Sequence, residues 1–120
     1  MLWITQRSTP PSSPAPAGQT KSTLHLETFV INLADPQQRS YLRVGIDLGL
    51  NHEIGRGEQA PAVAPARDVI LSVLAQASVE ELLTTKGKAS LKQSVLSALQ
   101  ERLPGLGVEE VYFTEFLIQR

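Results

Sequence analysis

Two segments near the start of the chain have the period-two alternation of apolar and polar side chains that is typical of β-strands. The clearer segment is 41–50, in which one set of alternate positions is apolar and the other is polar or glycine. The segment 24–33 is rich in β-branched and aromatic residues, which favour extended backbone. Asp35 and Pro36 between them indicate a turn. We therefore predict an antiparallel hairpin with one buried face, formed on 41–50 by Leu42, Val44, Ile46, Leu48 and Leu50.

Apolar residues then recur at helical spacing. Pro65 is compatible only with the first turn of a helix, so the first helix is predicted to begin at 62–65 and to continue to Ala77. Ser78 begins a capping box for a short helical turn, and Thr84 or Thr85 caps a longer helix. The Pro-Gly turn that follows ends this longer helix. Its apolar stripe consists of Leu91, Val95, Ala98, Leu99 and Leu103.

The chain ends in a strongly β-prone segment, 108–119, with the sequence VEEVYFTEFLIQ. Its apolar residues fall on both faces of an ideal strand, which predicts a central or doubly covered strand. The order β-β-α-α-α-β indicates an α+β domain. We expect the hairpin and the final strand to form a small β-sheet with the helices packed on one face.

Two glycines interrupt the outward face of the segment 41–50. Gly45 and Gly49 occupy positions where glycine weakens a strand and often marks close approach of another backbone. One interpretation is a bulge or a local twist. The other is a surface on which a neighbouring subunit packs closely, which makes Gly45 and Gly49 candidate subunit-contact residues.

Residues 1–23 differ in composition from the rest of the chain. Four of the eight prolines lie between residues 10 and 16, among Ser, Ala and Gly, and the segment contains Arg7 and Lys21 but no acid. Such a sequence cannot bury apolar surface, so we expect a flexible tether or, alternatively, a frayed terminus without function. Residues 24–120 carry 9 basic and 12 acidic side chains. Their net charge of −3 is too small to indicate a class of binding partner.

The composition gives little support to catalysis or nucleic-acid binding. The chain has 120 residues, a net charge of −1 and no cysteine, which excludes disulfides and thiolate chemistry. His25 and His52 are isolated, so no metal-ligand or nucleophile–base spacing is present. The sequence around Gly87 and Lys88 lacks the upstream glycine and the Ser or Thr of a phosphate-binding loop. We therefore predict a protein that is not an enzyme and has no cofactor, metal, small-molecule substrate or nucleic-acid partner.

Several short motifs resemble, in order and spacing, the flagellar basal-body-associated FliL family. They are FVINL at 29–33, YLRV at 41–44, PARDVI at 65–70, KGKASLK at 86–92 and the ending 111–119. The resemblance covers residues 24–120 and implies a fold similar to the stomatin-type (SPFH) domain. The residues that carry this signature, with an expected structural role, are Asn32, Leu33, Gly87, Leu91, Val111, Phe113, Phe116 and Gln119.

The resemblance also implies a function. Family members are expected to be anchored in the bacterial inner membrane, with this domain in the periplasm, and to form a homo-oligomeric ring around the flagellar stator. Stator and basal-body ring proteins would then be the partners, and motor torque, swimming, swarming and chemotaxis the processes served. The alternative is a stomatin-like scaffold for another ion channel or envelope complex. Residues 1–4, MLWI, would be the end of the membrane anchor or, alternatively, a start-codon or vector remnant.

Overall fold

The computed structural model describes residues 20–33 and 39–119 as an α+β domain, as the element order predicts. The predicted turn at 34–39 lies mostly outside the described residues, and so does the predicted tether up to residue 19. No helix in the described part of the chain is long and apolar enough to cross a membrane. The elements are β1 (Ser22–Asn32), β2 (Tyr41–Leu50), α1 (Arg56–Leu74), α2 (Val79–Leu82), α3 (Thr85–Arg102), a 3₁₀ turn (Pro104–Leu106) and β3 (Val108–Gln119).

The three strands form one antiparallel sheet in the order β1-β2-β3. The predicted hairpin of β1 and β2 is confirmed, with Ile31 opposite Leu42 and Leu24 opposite Leu48. The prediction that the last strand is central is wrong, because β3 pairs with β2 alone among the described strands and forms an edge of the sheet.

Bulges in β1 and β3 explain why the sequence alternation of apolar and polar residues does not show which side chains share a face of the sheet. The register shifts between Leu26 and Phe29 in β1, and in β3 the pairing skips Glu109 and Thr114. Each extra residue reverses the side that the following side chains occupy. The apolar residues of β3 therefore reach one face although they do not alternate in sequence. The residues placed in register with the buried row of β2 are Leu24, Leu26, Phe29 and Ile31 on β1, and Val108, Val111, Phe113, Phe116 and Ile118 on β3.

The core lies between this face of the sheet and the helices. All five apolar side chains predicted for the buried face of β2 have 0% exposure. Burying each of them contributes about 1.5–3 kcal/mol relative to leaving it in water. The helices that cover them contribute the buried side chains Ala66, Val69, Ile70, Leu74, Leu91, Val95 and Leu99.

Helix α1 begins at Arg56, six or more residues before the predicted start at 62–65. The backbone N–H of Gly55 donates to the Glu58 carboxylate at 3.2 Å, which caps the helix start. Pro61 and Pro65 lie inside the helix, and each removes one bond to a carbonyl four residues back. Both prolines are exposed, so the helix tolerates them on its solvent side.

The junction of α2 and α3 follows the predicted caps. The Ser78 hydroxyl accepts a hydrogen bond from the N–H of Glu81, and the Thr84 hydroxyl accepts one from the N–H of Gly87 at 2.9 Å. Gly87 also lies directly against the carbonyl group of Glu81, so a Cβ at this position would overlap the carbonyl oxygen. Glycine at position 87 therefore allows the first turn of α3 to pack on the end of α2.

Two cationic side chains hold the helices against the edge strands. The Arg67 guanidinium lies 4.0 Å from the centroid of the Phe29 ring and donates to the carbonyl of Glu27 at 2.7 Å, inside the bulge of β1. The Lys88 ammonium lies 4.7 Å from the centroid of the Phe116 ring on β3. Each contact contributes on the order of 0.5–2 kcal/mol.

We predict that Gly87→Ala destabilises the domain by about 3 kcal/mol or more, because its methyl group cannot fit against Glu81 without moving α2 away from α3. Gly57→Ala is the matched control, because a Cβ on that helical glycine would meet nothing within 4 Å. Gly57→Ala is expected to stabilise the domain by up to about 1 kcal/mol. Urea unfolding measures both, and equal effects of the two substitutions would contradict the role assigned to Gly87.

Candidate interaction surface

The face of the sheet opposite the helices, here called the outer face, carries most of the exposed apolar side chains of the described residues. Four of the six large exposed hydrophobic residues lie there. Val30 is 61% exposed and Leu117 is 46% exposed, and the two flank Arg43 in register across the three strands. The other two are Tyr41 and Tyr112. Exposed apolar side chains interspersed with polar ones are characteristic of a protein-binding surface.

Two ion pairs lie on the outer face. His25 Nδ1 is 2.7 Å from Asp47 Oδ1, and Arg43 Nε donates to Glu115 Oε2 at 3.2 Å. Except for Asp47, these side chains are about half or more exposed, so each pair adds at most about 1 kcal/mol to stability. Their chemical value is specificity, because the Arg43–Glu115 pair positions one charge of either sign, and the His25–Asp47 contact a polar group, beside the apolar side chains.

Gly45 and Gly49 lie on the outer face, as the alternation predicts, and side chains of the same chain cover both. A Cβ on Gly45 would lie 2.5 Å from the Thr114 hydroxyl, which belongs to the bulged residue of β3. A Cβ on Gly49 would lie 2.8 Å from the Thr20 hydroxyl and 3.2 Å from the ring of Tyr112. These contacts within the chain explain why both positions require glycine. A subunit contact at this surface stays a prediction.

The signature residues divide into two groups. Leu33, Leu91 and Val111 are buried in the core, Phe113 and Phe116 stack with ring centroids 5.6 Å apart, and Gly87 lies in the α2–α3 junction. Asn32 and Gln119 are instead exposed on the outer face, where both lie in register with Tyr41. The outer face therefore includes two signature residues for which the structure gives no packing role.

Sequence reasoning did not single out Val30, Tyr41 or Leu117. The alternation within 41–50 does place Tyr41 on the outward side, so a signal for that residue was available. Val30 and Leu117 follow the bulges of β1 and β3, and an unbroken alternation cannot assign their sides.

Two open clefts lie on the helical side of the molecule. One, of about 600 Å³, lies between the end of α1, α2 and the start of α3, and its polar lining includes Thr84, Lys86 and Ser90. The other, of about 500 Å³, lies beside the 3₁₀ turn and is lined by His52 and Arg102. The His52 ring nitrogens lie 2.9 Å from the carbonyl oxygen of Glu53 and 3.1 Å from that of Leu106, so this histidine ties the loop to the turn.

Neither cleft contains a catalytic arrangement. Among residues 20–33 and 39–119, no serine or threonine hydroxyl is hydrogen-bonded to either histidine ring, and the Ser22 hydroxyl donates instead to the backbone carbonyl of His52 at 2.6 Å. In the same residues, no group of three or more His, Cys, Asp or Glu side chains could hold a metal ion. The outer face, with its exposed apolar and polar side chains, is suited to binding a protein surface.

We predict that Gly45→Ala lowers the free energy of unfolding by about 1–3 kcal/mol, because the added methyl group collides with the Thr114 hydroxyl. Thr114→Ala alone is expected to change it by about 0.5 kcal/mol or less, since Thr114 is exposed. Combining the two should recover most of the loss, which a double-mutant cycle measures. Additive effects would contradict the contact between these two positions.

Comparison with known proteins identifies the family. The sequence model described as "Flagellar basal body-associated protein FliL" matches residues 23–119. The chain is also similar to the "Flagellar protein FliL" of Aquifex aeolicus (strain VF5), with 35% identity over 91 residues. That match covers 76% of this chain and 56% of the relative, so the chain spans little more than half the length of the curated protein it matches. The chain belongs to the FliL family of flagellar basal body-associated proteins.

Proposed function

We propose that this domain is a non-enzymatic component of the flagellar basal body that associates with the stator and supports motor torque, swimming or swarming. The observation that carries the proposal is the family match over residues 23–119, which includes nearly all of the folded domain. The outer face supports it, since a protein that acts by contact needs exposed apolar side chains beside paired charges.

The size of the outer face indicates how such a contact would work. Three strands about 4.8 Å apart and ten residues long present roughly 33 Å by 14 Å, or about 450 Å². A stable protein interface takes about 800 Å² from each partner. One domain would therefore bind its partner weakly, and several domains in a ring would bind together with much greater avidity.

The proposal includes a location and an assembly. The domain would have a stomatin-like (SPFH) fold, face the periplasm, be held at the inner membrane by an anchor, and form a homo-oligomeric ring. The mixed charge of the outer face supports a protein partner. Gly45 and Gly49 would lie near a subunit contact, beneath the Thr114, Thr20 and Tyr112 side chains that cover them.

The subunit contact has its own test, since the intrachain collision at Gly45 can be removed first. In the Gly45→Ala/Thr114→Ala variant, we expect the fold to be retained and the ring-sized assembly to be weakened. Light scattering measures the assembly, and Thr114→Ala alone is the control. An unchanged oligomer size in the double variant would contradict a subunit contact at Gly45.

For the motor role, we predict that replacing the chromosomal gene by a Val30→Glu variant reduces swarm expansion and swimming in viscous medium, because the charge must be desolvated where the outer face meets its partner. Leu71→Glu is the matched control, because Leu71 is 37% exposed on α1, away from the outer face. Swarm diameter and the stall torque of tethered cells are the measurements. Normal motility under load in the complete deletion would contradict the proposal.

A further inference from the structure

The two edges of the sheet are covered unequally. On β1, the core-facing side chains Leu24, Leu26 and Phe29 are buried beneath α1, and Arg67 already bonds the bulge carbonyl of Glu27. On β3, Val108 and Val111 are buried in the same way. The second half of β3 is different, because its core-facing side chains remain only partly buried, namely Phe113, Phe116 and Ile118. The helix layer thus covers this part of the edge only partly, with the Lys88 side chain of α3 over the Phe116 ring.

The direction of the backbone groups along β3 follows from two hydrogen bonds made by the residues that flank β2. The N–H of Leu33 donates to the carbonyl of Ser40, and the N–H of Asn51 donates to the carbonyl of Gly107. Because backbone groups alternate in direction along a strand, even-numbered residues of β2 bond to β1 and odd-numbered ones to β3. Tyr41 and Arg43 therefore bond to β3.

On β3, Gln119 and Leu117 are the partners of Tyr41 and Arg43, so their backbone groups point towards β2. The N–H and C=O groups of Phe116 and Ile118 consequently point away from the sheet. No hydrogen bond from another described residue reaches them. Such a row of unpaired groups on an apolar edge is a template for another strand.

The first half of the same edge is closed by side chains. Gln100 Nε2 donates to the carbonyl of Val108 at 3.0 Å, and the Glu110 carboxylate accepts from the N–H of Val111 at 3.2 Å. Charged and polar side chains at such positions prevent strand addition. The open edge is therefore limited to the segment after the Thr114 bulge.

We propose that this open edge pairs with the same edge of a second copy of the chain, antiparallel, around a two-fold axis at Leu117. In this register, Phe116 lies opposite Ile118 of the second copy, and Ile118 lies opposite Phe116 of the second copy. The outward N–H and C=O groups of these residues form two reciprocal pairs of hydrogen bonds across the axis. The six strands then form one continuous sheet.

The side chains of β3 are self-complementary in that register. Core-facing Phe116 and Ile118 meet each other, so each would bury the partly exposed apolar surface of the other copy. The exposed Leu117 meets its own copy on the outer face, and Glu115 meets the uncharged Gln119. No like charges lie directly opposite each other between residues 115 and 119, which is the requirement for a stable cross-strand pairing.

Pairing would also enlarge the surface on which the proposed function depends. With the axis perpendicular to the sheet, the helices of both copies lie on one side and both outer faces lie on the other. Their combined area is roughly 900 Å², which reaches the 800 Å² that one side of a stable interface takes. The pairing itself rests on the strand geometry alone and does not require a flagellar role.

The test uses charge substitutions at Leu117 in the full 120-residue chain, followed by sedimentation equilibrium. The wild-type mass is expected to rise from 13.1 kDa to at least twice that value as concentration rises. Leu117→Glu alone and Leu117→Lys alone are each expected to weaken pairing by about tenfold or more, since like charges would lie opposite each other. An equimolar mixture of the two variants should recover the pair, because Glu then faces Lys.

Val30→Glu and Val30→Lys are the matched controls, because Val30 lies on the same face and flanks Arg43 from the other side. Both should pair like wild type, and circular dichroism checks that all variants are folded. A wild-type chain that stays monomeric at every soluble concentration would overturn the proposal, as would a mixture that fails to pair. The proposal would also be overturned if the wild-type chain were monomeric and Leu117→Glu abolished its binding to a different protein. The open edge would then pair with a strand of that protein.

The result is separable from that of the motor role. Pairing is measured on purified chain, whereas the motor role is measured by motility of the Val30→Glu strain. A failed mixture experiment with impaired Val30→Glu motility rejects the pairing alone. Intact pairing with normal motility in the gene deletion rejects the motor role alone.

Discussion

The complete burial of one face of β2 is the constraint on which the rest of the structure depends. Its five apolar side chains have no exposure to water, and every other element either flanks or covers them. The neighbouring strands must present apolar side chains on the same face, and they do so only because of their bulges. The bulges are thus part of the core and not defects in the strands.

Burying one face of β2 leaves the other face of the sheet to water. In an α+β domain of two layers, the uncovered face is normally polar. Here it combines Val30, Tyr41 and Leu117 with two exposed ion pairs. This combination contributes little to folding and suits a surface that binds another protein. The outer face is therefore compatible with the contact role that we propose for this member of the FliL family.

The helix layer sets the limits of the covered region. Contact between Gly87 and Glu81 joins α3 closely to α2, and Lys88 then reaches Phe116 from the first turn of α3. The layer buries β1, β2 and the first half of β3 but leaves the end of β3 only partly covered.

The sequence by itself determined the features that depend on neighbouring residues. These include the alternation that defines β2, the caps at Ser78 and Thr84, the order of the elements and the family motifs. Contacts between distant residues decided the rest. The continuation of α1 through Pro61 and Pro65 depends on the exposure of both prolines, which helix packing decides, and the edge position of β3 depends on long-range pairing. The outer face could be predicted only for β2, because a bulge reverses the sides of a strand and its position is fixed by the partner strand.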